Sequence, residues 1–241
     1  MRGDMAGNPG ERRGITASMD RIAIYDMDKT VTVRATYAAF LVHMALSLAP
    51  WRLLLLPAVG AVMLGYVLRL VPRGRAKELN QALLVGRRVS RARIMPVVER
   101  YADKVVAGNI RTGALARIAA DKAAGYTLVL ASASYRLYVE PIARRLGFDA
   151  VIATDHFSQD IDYIRARIAG ENCYDRAKLA MVEAWMARQG VDRAAVHIRA
   201  YSDHVSDAPL LAMADEAFAA NPHAPLERLA LERGWPVLRW S

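Results

Sequence analysis

Cysteine is almost missing from this chain: Cys173 is the only one in 241 residues. An intramolecular disulfide and a cysteine-rich zinc site are therefore excluded, which points to a reducing compartment. A chain of this length must then rely on an apolar core, and 54% hydrophobic residues supply one. Histidine is scarce too: the five, at 43, 156, 197, 204 and 223, are scattered and read as ordinary surface or core residues. Residues 1–19 lack the apolar stretch of a secretory signal; they are expected to form a flexible lead, with Met19 an alternative start. Acidic residues nearly vanish from residues 50–100, where ten Arg or Lys face only Glu78 and Glu99, so this fifth of the chain carries almost all of the net charge of +9. Few aromatics accompany that charge, and an apolar run, LLLLPAVGAVMLGYVL at 53–68, precedes most of it. The combination fits an anionic membrane surface, at the cytoplasmic face of an inner membrane, and no nucleic-acid partner is expected.

What is present alternates in period. RIAIYD at 21–26, YTLVLASAS at 126–134, AVIAT at 150–154, AVHIRAYSD at 195–203 and AFAANP at 217–222 read as buried strands. Helical patterns separate them, at 91–124, 135–147 and 175–190, closed by Gly125, Gly147 and Gly190. Such alternation predicts an α/β fold with a parallel sheet covered on both faces, whose ligand sits at the carboxyl ends of the strands. Three of those ends carry Asp26 with Asp28, Ser132, and Asp203. Two carboxylates one residue apart repel each other, so the pair needs either a surface turn or a cation.

In their order these elements resemble the haloacid dehalogenase (HAD) superfamily of phosphatases. Asp26, Asp28 and Thr30 match its first motif, Ser132 the second, Lys178 the third, and Asp203 with Asp207 the fourth. The stretches SASYRLYVEPIARRLG, CYDRAK and NPHAPLERLALERGWP are similar to subfamily IB, the phosphoserine phosphatase-like branch. The resemblance implies a Rossmann-like core, residues 20–36 and 105–241, with an inserted α-helical cap at 37–104. It implies Asp26 as nucleophile, Asp28 as general acid and base, and Lys178 as the charge-stabilising cation. Ser132, Ala133 and Thr30 are then expected at the phosphate, Mg²⁺ on Asp26, Asp203 and the backbone carbonyl of Asp28, and Asp207 in support of those ligands. Two departures stand out: Asp175 and Ser202 occupy positions where the family usually has glycine. Ser134 is expected to cap the following helix rather than bind phosphate.

The insertion bears on substrate. Phosphoserine phosphatases carry a glutamate nine positions after the nucleophile that helps hold the substrate amine; here that residue is Ala35. An apolar and then basic cap resembles the phosphatidylglycerophosphatase C type, which implies a lipid phosphate such as phosphatidylglycerophosphate. The alternatives are a soluble metabolite phosphatase whose apolar cap is core, and a catalytically poor scaffold at the membrane. Sixteen apolar residues fall short of the ~20 a bilayer span needs. Asp26 and Lys178 must also meet in one site, which rules out a single crossing between them.

Overall fold

The structure, a computed structural model, describes residues 19–157 and 161–241. The expected lead, apart from Met19, lies outside the described residues. A seven-stranded sheet forms the centre, with strands β1 (Arg21–Asp26), β3 (Thr127–Tyr135), β4 (Ala150–His156), β6 (Ile168–Ala169), β7 (His197–Ser202), β8 (Glu216–Ala220) and β9 (Val237–Leu238) in the order β6-β4-β3-β1-β7-β8-β9. Every pairing is parallel except β4 with β6. Two short strands, β2 (Arg88–Ser90) and β5 (Tyr163–Arg165), form a separate antiparallel pair that the sequence pattern does not announce.

Both faces of the sheet are buried, and β1 shows why its residues alternate. Ile22 and Ile24 pack with Val182, Ile198 and Leu211 on one face. Ala23 and Tyr25 pack with Leu128, Leu130 and Tyr201 on the other. The two-residue period of the strand sends neighbouring side chains to opposite layers, and helices cover each layer: α4 (Arg91–Gly108), α5 (Thr112–Ala123) and α6 (Arg136–Leu146), then α7 (Arg176–Arg188), α8 (Ala208–Met213) and α9 (Ala224–Arg233). The helical pattern expected over 91–124 is two helices, α4 and α5, parted at Asn109–Arg111, where the Arg111 N–H donates to Val31 O and not to a carbonyl of the preceding helix.

Between β1 and α4, in the stretch where an inserted cap is expected and which is called the cap below, lie α1 (Tyr37–Leu48), α2 (Leu56–Val67) and α3 (Arg73–Leu84). Helix α1 buries Phe40, Leu41, Met44 and Ala45, with the Phe40 ring stacked 4.3 Å from Tyr138 of α6. A tight turn over Pro50–Leu55 leads into α2 without a break, so Pro50–Val67 is an 18-residue helical stretch, longer than the apolar run alone. None of it is buried. The cap boundary placed at 104/105 falls inside α4, an 18-residue helix whose buried side chains, Val98, Tyr101 and Val105 among them, join the main core cluster.

The chain leaves β1 toward β3 on one side and leaves β7 toward β8 on the other. Their carboxyl ends therefore bound a crevice at the point where the strand order reverses, the usual place for a ligand in open α/β sheets. One step below the crevice, Tyr25 and Tyr201 are register partners with rings stacked 4.3 Å apart. Both hydroxyls donate to Asp121, at 2.5 and 2.8 Å, and Arg199 pairs with the same carboxylate at 2.8 Å. This buried cluster pins the two strands that carry the site.

Candidate active site

Asp26 ends β1, Asp203 follows β7, and the turn from Met27 to Val31 returns Thr30 beneath both. Lys29 makes that turn with φ +65°, a left-handed conformation that side chains other than glycine enter at some cost. Thr30 Oγ1 accepts the Asp203 N–H at 2.9 Å and lies 3.2 Å from Asp26 Oδ2 and 3.3 Å from Asp203 Oδ1. Its one proton is thus shared between two carboxylates, and the residue is fully buried behind them. Lys178, in the first turn of α7, is as deeply buried; its Nζ donates to Asp26 Oδ1 and to Asp207 Oδ2, each at 2.7 Å. Ser202 Oγ donates to the same Asp207 oxygen at 2.7 Å.

Electrostatics follow from this crowding. Burial pushes the Asp26 carboxyl upward, with the Lys178 ammonium pulling against it and Asp207 and Asp203 adding to the rise. Asp203 is pushed up to about 6, first by burial and then by Asp207, with Lys29 offsetting part. Burial alone would strip the proton from Lys178, but Asp207 and Asp26 outweigh it and hold the ammonium above the ordinary lysine range. Three carboxylates thus share one close ammonium, and Asp207 Oδ1 is buried with no hydrogen-bond partner among the described residues. An orphaned carboxylate oxygen beside excess negative charge is what a divalent cation would relieve. Among the described residues no three His, Cys, Asp or Glu side chains converge as a ready cage. A hard cation such as Mg²⁺ takes one or two carboxylates and fills its other positions with water and substrate oxygens.

Asp28 stands apart from that cluster. Its Oδ1 accepts from both the N–H and the hydroxyl of Thr36, at 2.7 Å each, and its Oδ2 accepts from Ser134 Oγ at 2.7 Å. Ser134 therefore does not cap α6, which has no side-chain cap; its hydroxyl is drawn to the nearer carboxylate. Ser132 is buried, its hydroxyl accepting the Ser134 N–H at 3.1 Å, so Ala133 and Ser134 rather than Ser132 meet the cavity. The strand period could not have found Ser134, because the register of β3 shifts between Ser132 and Tyr135 and brings neighbouring Ala133 and Ser134 to the cavity together. Nothing in the sequence marks Thr36.

The cavity above these groups has a volume of about 410 Å³ and is walled on its far side by the cap, through Tyr37, Met63, Tyr66, Arg73, Lys77 and Asn80. Lys77 is the lone lysine among the nine arginines of residues 50–100. It reaches from α3 across to the core, donating to Ala133 O and, at 3.0 Å, to Asn172 Oδ1, with its ammonium 4.1 Å over the Tyr135 ring. Burial, with Arg73 adding to it, lowers its pKa to about 7. Arg73 lies 3.8 Å over Tyr174. Ala35 lines the wall as well. Sequence reasoning passed over Lys77, whose burial is set by tertiary packing of α3 against the core.

Known proteins share this fold. A solved structure of a Bordetella pertussis protein of unknown function superposes with a TM-score of 0.81 at 26% identity, covering 92% of this chain and 99% of that one. A phospho-aspartyl intermediate analogue of phosphoserine phosphatase shares the fold, with a TM-score of 0.60 at 16% identity over 92% and 93% of the two chains. A phosphoserine phosphatase of Mycobacterium tuberculosis is 32% identical over 168 residues, 69% of this chain and 52% of that protein. The chain spans about half the length of the Mycobacterium tuberculosis relatives it matches. The model of the haloacid dehalogenase-like hydrolases matches residues 23–212, from the middle of β1 through α8, and the chain belongs to that family.

Proposed function

We propose that this protein is a Mg²⁺-dependent phosphomonoester hydrolase that works through an aspartyl-phosphate, with a small soluble phosphomonoester as its substrate. The observation that carries the reading is the division of labour between Asp26, tied to Lys178 at the cavity floor, and Asp28, held apart from it by Thr36 and Ser134. In this reading an Asp26 carboxylate oxygen attacks phosphorus, and the bond from phosphorus to the ester oxygen breaks. Asp28 gives its proton to the departing alkoxide, then takes one from the water that attacks the aspartyl-phosphate, releasing inorganic phosphate and restoring Asp26. Lys178 keeps its proton throughout and balances charge on Asp26. The backbone N–H groups where β3 meets α6 favour the phosphoryl oxygens. Mg²⁺ would be held by Asp26, Asp203 and the carbonyl of Asp28, and when bound it lets a carboxylate approach a phosphate dianion.

Relatives named as phosphoserine phosphatases support a soluble metabolite substrate. Ala35 in the wall argues against an amine held by a carboxylate at that position, while Lys77, Arg73 and Asn80 favour a substrate whose remaining part accepts hydrogen bonds. A second reading, a lipid phosphate such as phosphatidylglycerophosphate, is favoured by one observation: the exposed apolar helix α2 also supplies Met63 and Tyr66 to the cavity wall. Release of phosphate from a panel of soluble and lipid phosphomonoesters, with and without Mg²⁺, tests both. Turnover of soluble esters is expected; activity confined to lipid phosphates would replace the first reading by the second, and no activity on any ester would end both.

A further inference from the structure

No residue of the stretch from Pro50 to Val67 is fully buried, although Leu53 and Val59 lean on the core and no residue between Arg52 and Arg69 is charged. Trp51, Leu54, Leu64, Val67, Leu68 and Leu70 are each more than half exposed, which makes one continuous apolar ridge along the turn, α2 and the segment after it. Soluble monomers rarely show contiguous apolar surface beyond a few hundred Å² unless something covers it.

Charge says what kind of partner covers it. Arginines stand at both ends of the ridge. At the Trp51 end a groove of about 910 Å³ is lined by Arg52, Arg87, Arg88 and Arg93 together with Trp51; at the other end are Arg69 and Arg73. Among the described residues, Arg52, Arg69, Arg73, Arg87 and Arg93 have no carboxylate partner. A symmetric contact between two copies would set this +8 segment against itself, whereas a surface of anionic headgroups over apolar chains complements both features. Length and composition would let Pro50–Val67 cross a membrane. The fold holds it flat instead: Arg52 donates to the carbonyls of Ala82 and Leu83 in α3, at 3.1 and 2.7 Å, and α2 lies against α3.

We propose that the cap docks on an anionic phospholipid bilayer, with the α2 ridge in the interface and the arginines of the Trp51 groove among the headgroups. If the phosphatase reading holds, Met63 and Tyr66 place the mouth of the active site beside that surface.

The test is co-sedimentation of the full chain with phosphatidylcholine vesicles, made with and without an equal part of phosphatidylglycerol. Binding is expected only to the anionic vesicles and should weaken as salt is added. Leu54→Gln with Leu64→Gln, and separately Arg87→Glu with Arg93→Glu, should each weaken it by about tenfold or more. Each variant's urea midpoint, compared with wild type, shows that the fold is kept. Asp26→Asn should bind like wild type, so docking and the phosphatase reading fail independently. Equal binding to neutral vesicles overturns the proposal. So does absence of vesicle binding together with a concentration-dependent dimer that Leu54→Gln with Leu64→Gln dissolves, which would assign the ridge to a second copy of the chain.

Discussion

The carboxyl edge of the sheet and the outer face of the cap invert the usual placement of side chains in opposite ways. At the sheet edge Asp26, Asp203, Asp207 and Lys178 are buried; on the cap, a run of leucines and valines faces solvent. Both arrangements cost free energy, yet they are compensated differently. Each buried charge has a hydrogen-bond partner a few residues or one strand away, so the chain itself supplies most of the compensation. The ridge has no such internal partner, although burying one such side chain is worth roughly 1.5–3 kcal/mol. A region resolved from within is rigidly specified, whereas a region resolved from outside shows its purpose only when the partner is present.

The largest effects are expected where charge is buried. Asp26→Asn should lower phosphomonoester turnover by about 10³-fold or more, since it removes the nucleophile and not merely a binding contact. A variant with full kcat would place the chemistry on another residue and void the comparison. Lys178→Met leaves Asp26 and Asp207 facing each other in a dry site. It should destabilise by about 3–5 kcal/mol in urea titrations near neutral pH, and adding Asp26→Asn and Asp207→Asn should restore much of the loss. A single-variant loss within 1 kcal/mol, on the scale of exposed ion pairs, would mean that water already reaches the site.

Lys77 links the two regions, because it belongs to the cap and is buried in the core's cleft. Its pKa in the folded protein, about 7, lies below the ordinary 10.5, so between those values the unfolded chain binds the extra proton. Stability from this group therefore rises with pH across that window, by up to about 1.4 kcal/mol per pH unit, and the penalty is fully present below pH 7. Subtracting the stability profile of Lys77→Met from that of wild type should expose this slope. A flat difference would show that the cap opens and lets the ammonium reach water.

A smaller effect is expected at Asp175, which holds φ +56° and ψ −133°, a region that only glycine enters without strain. The strain sits at the entry to α7, where Asp175 O accepts the Lys178 N–H at 3.0 Å. Asp175→Gly should stabilise the protein by about 1 kcal/mol, the relief of strain less the entropy that glycine adds to the unfolded chain. A loss of stability would mean that the Asp175 side chain has a role in the native state.

How much of this was legible in the sequence follows the same division. The strands and the residues at their ends were readable, because a two-residue period and a charge after an apolar run are local patterns. The parallel sheet and the convergence of Asp26 with Asp203 follow from them, whereas Lys178, in a helix, was marked only by the family resemblance. The contacts of Asp28 with Thr36 and Ser134, the reach of Lys77 into the cleft and the β2–β5 pair were not readable, since each joins segments whose approach is set by tertiary packing. The commitment of the Thr30 and Ser132 hydroxyls to neighbouring groups was hidden for the same reason. The cap's apolar run was plain, but whether it lay inside or outside was not, because periodicity reports a helix and a run without polar residues has no face to orient it.

That ambiguity gives the smallest and sharpest test. If the ridge is free in solution, Leu54→Gln and Leu64→Gln should each change the stability of the monomer by no more than about 0.5 kcal/mol, because both side chains are mostly exposed and lose little packing. A matched truncation in the sheet, Leu128→Ala, should cost about 2–5 kcal/mol, since Leu128 is fully buried in the main core beside β1. Urea midpoints measured side by side at low protein concentration make the comparison direct. If either ridge variant approached the cost of the sheet variant, the ridge would already be covered in solution by protein, and the contrast between the two regions would collapse. If both stay near zero while vesicle binding falls, the leucines act on the partner alone, and the cap's apolar face is a surface kept exposed for docking and not a fragment of misplaced core.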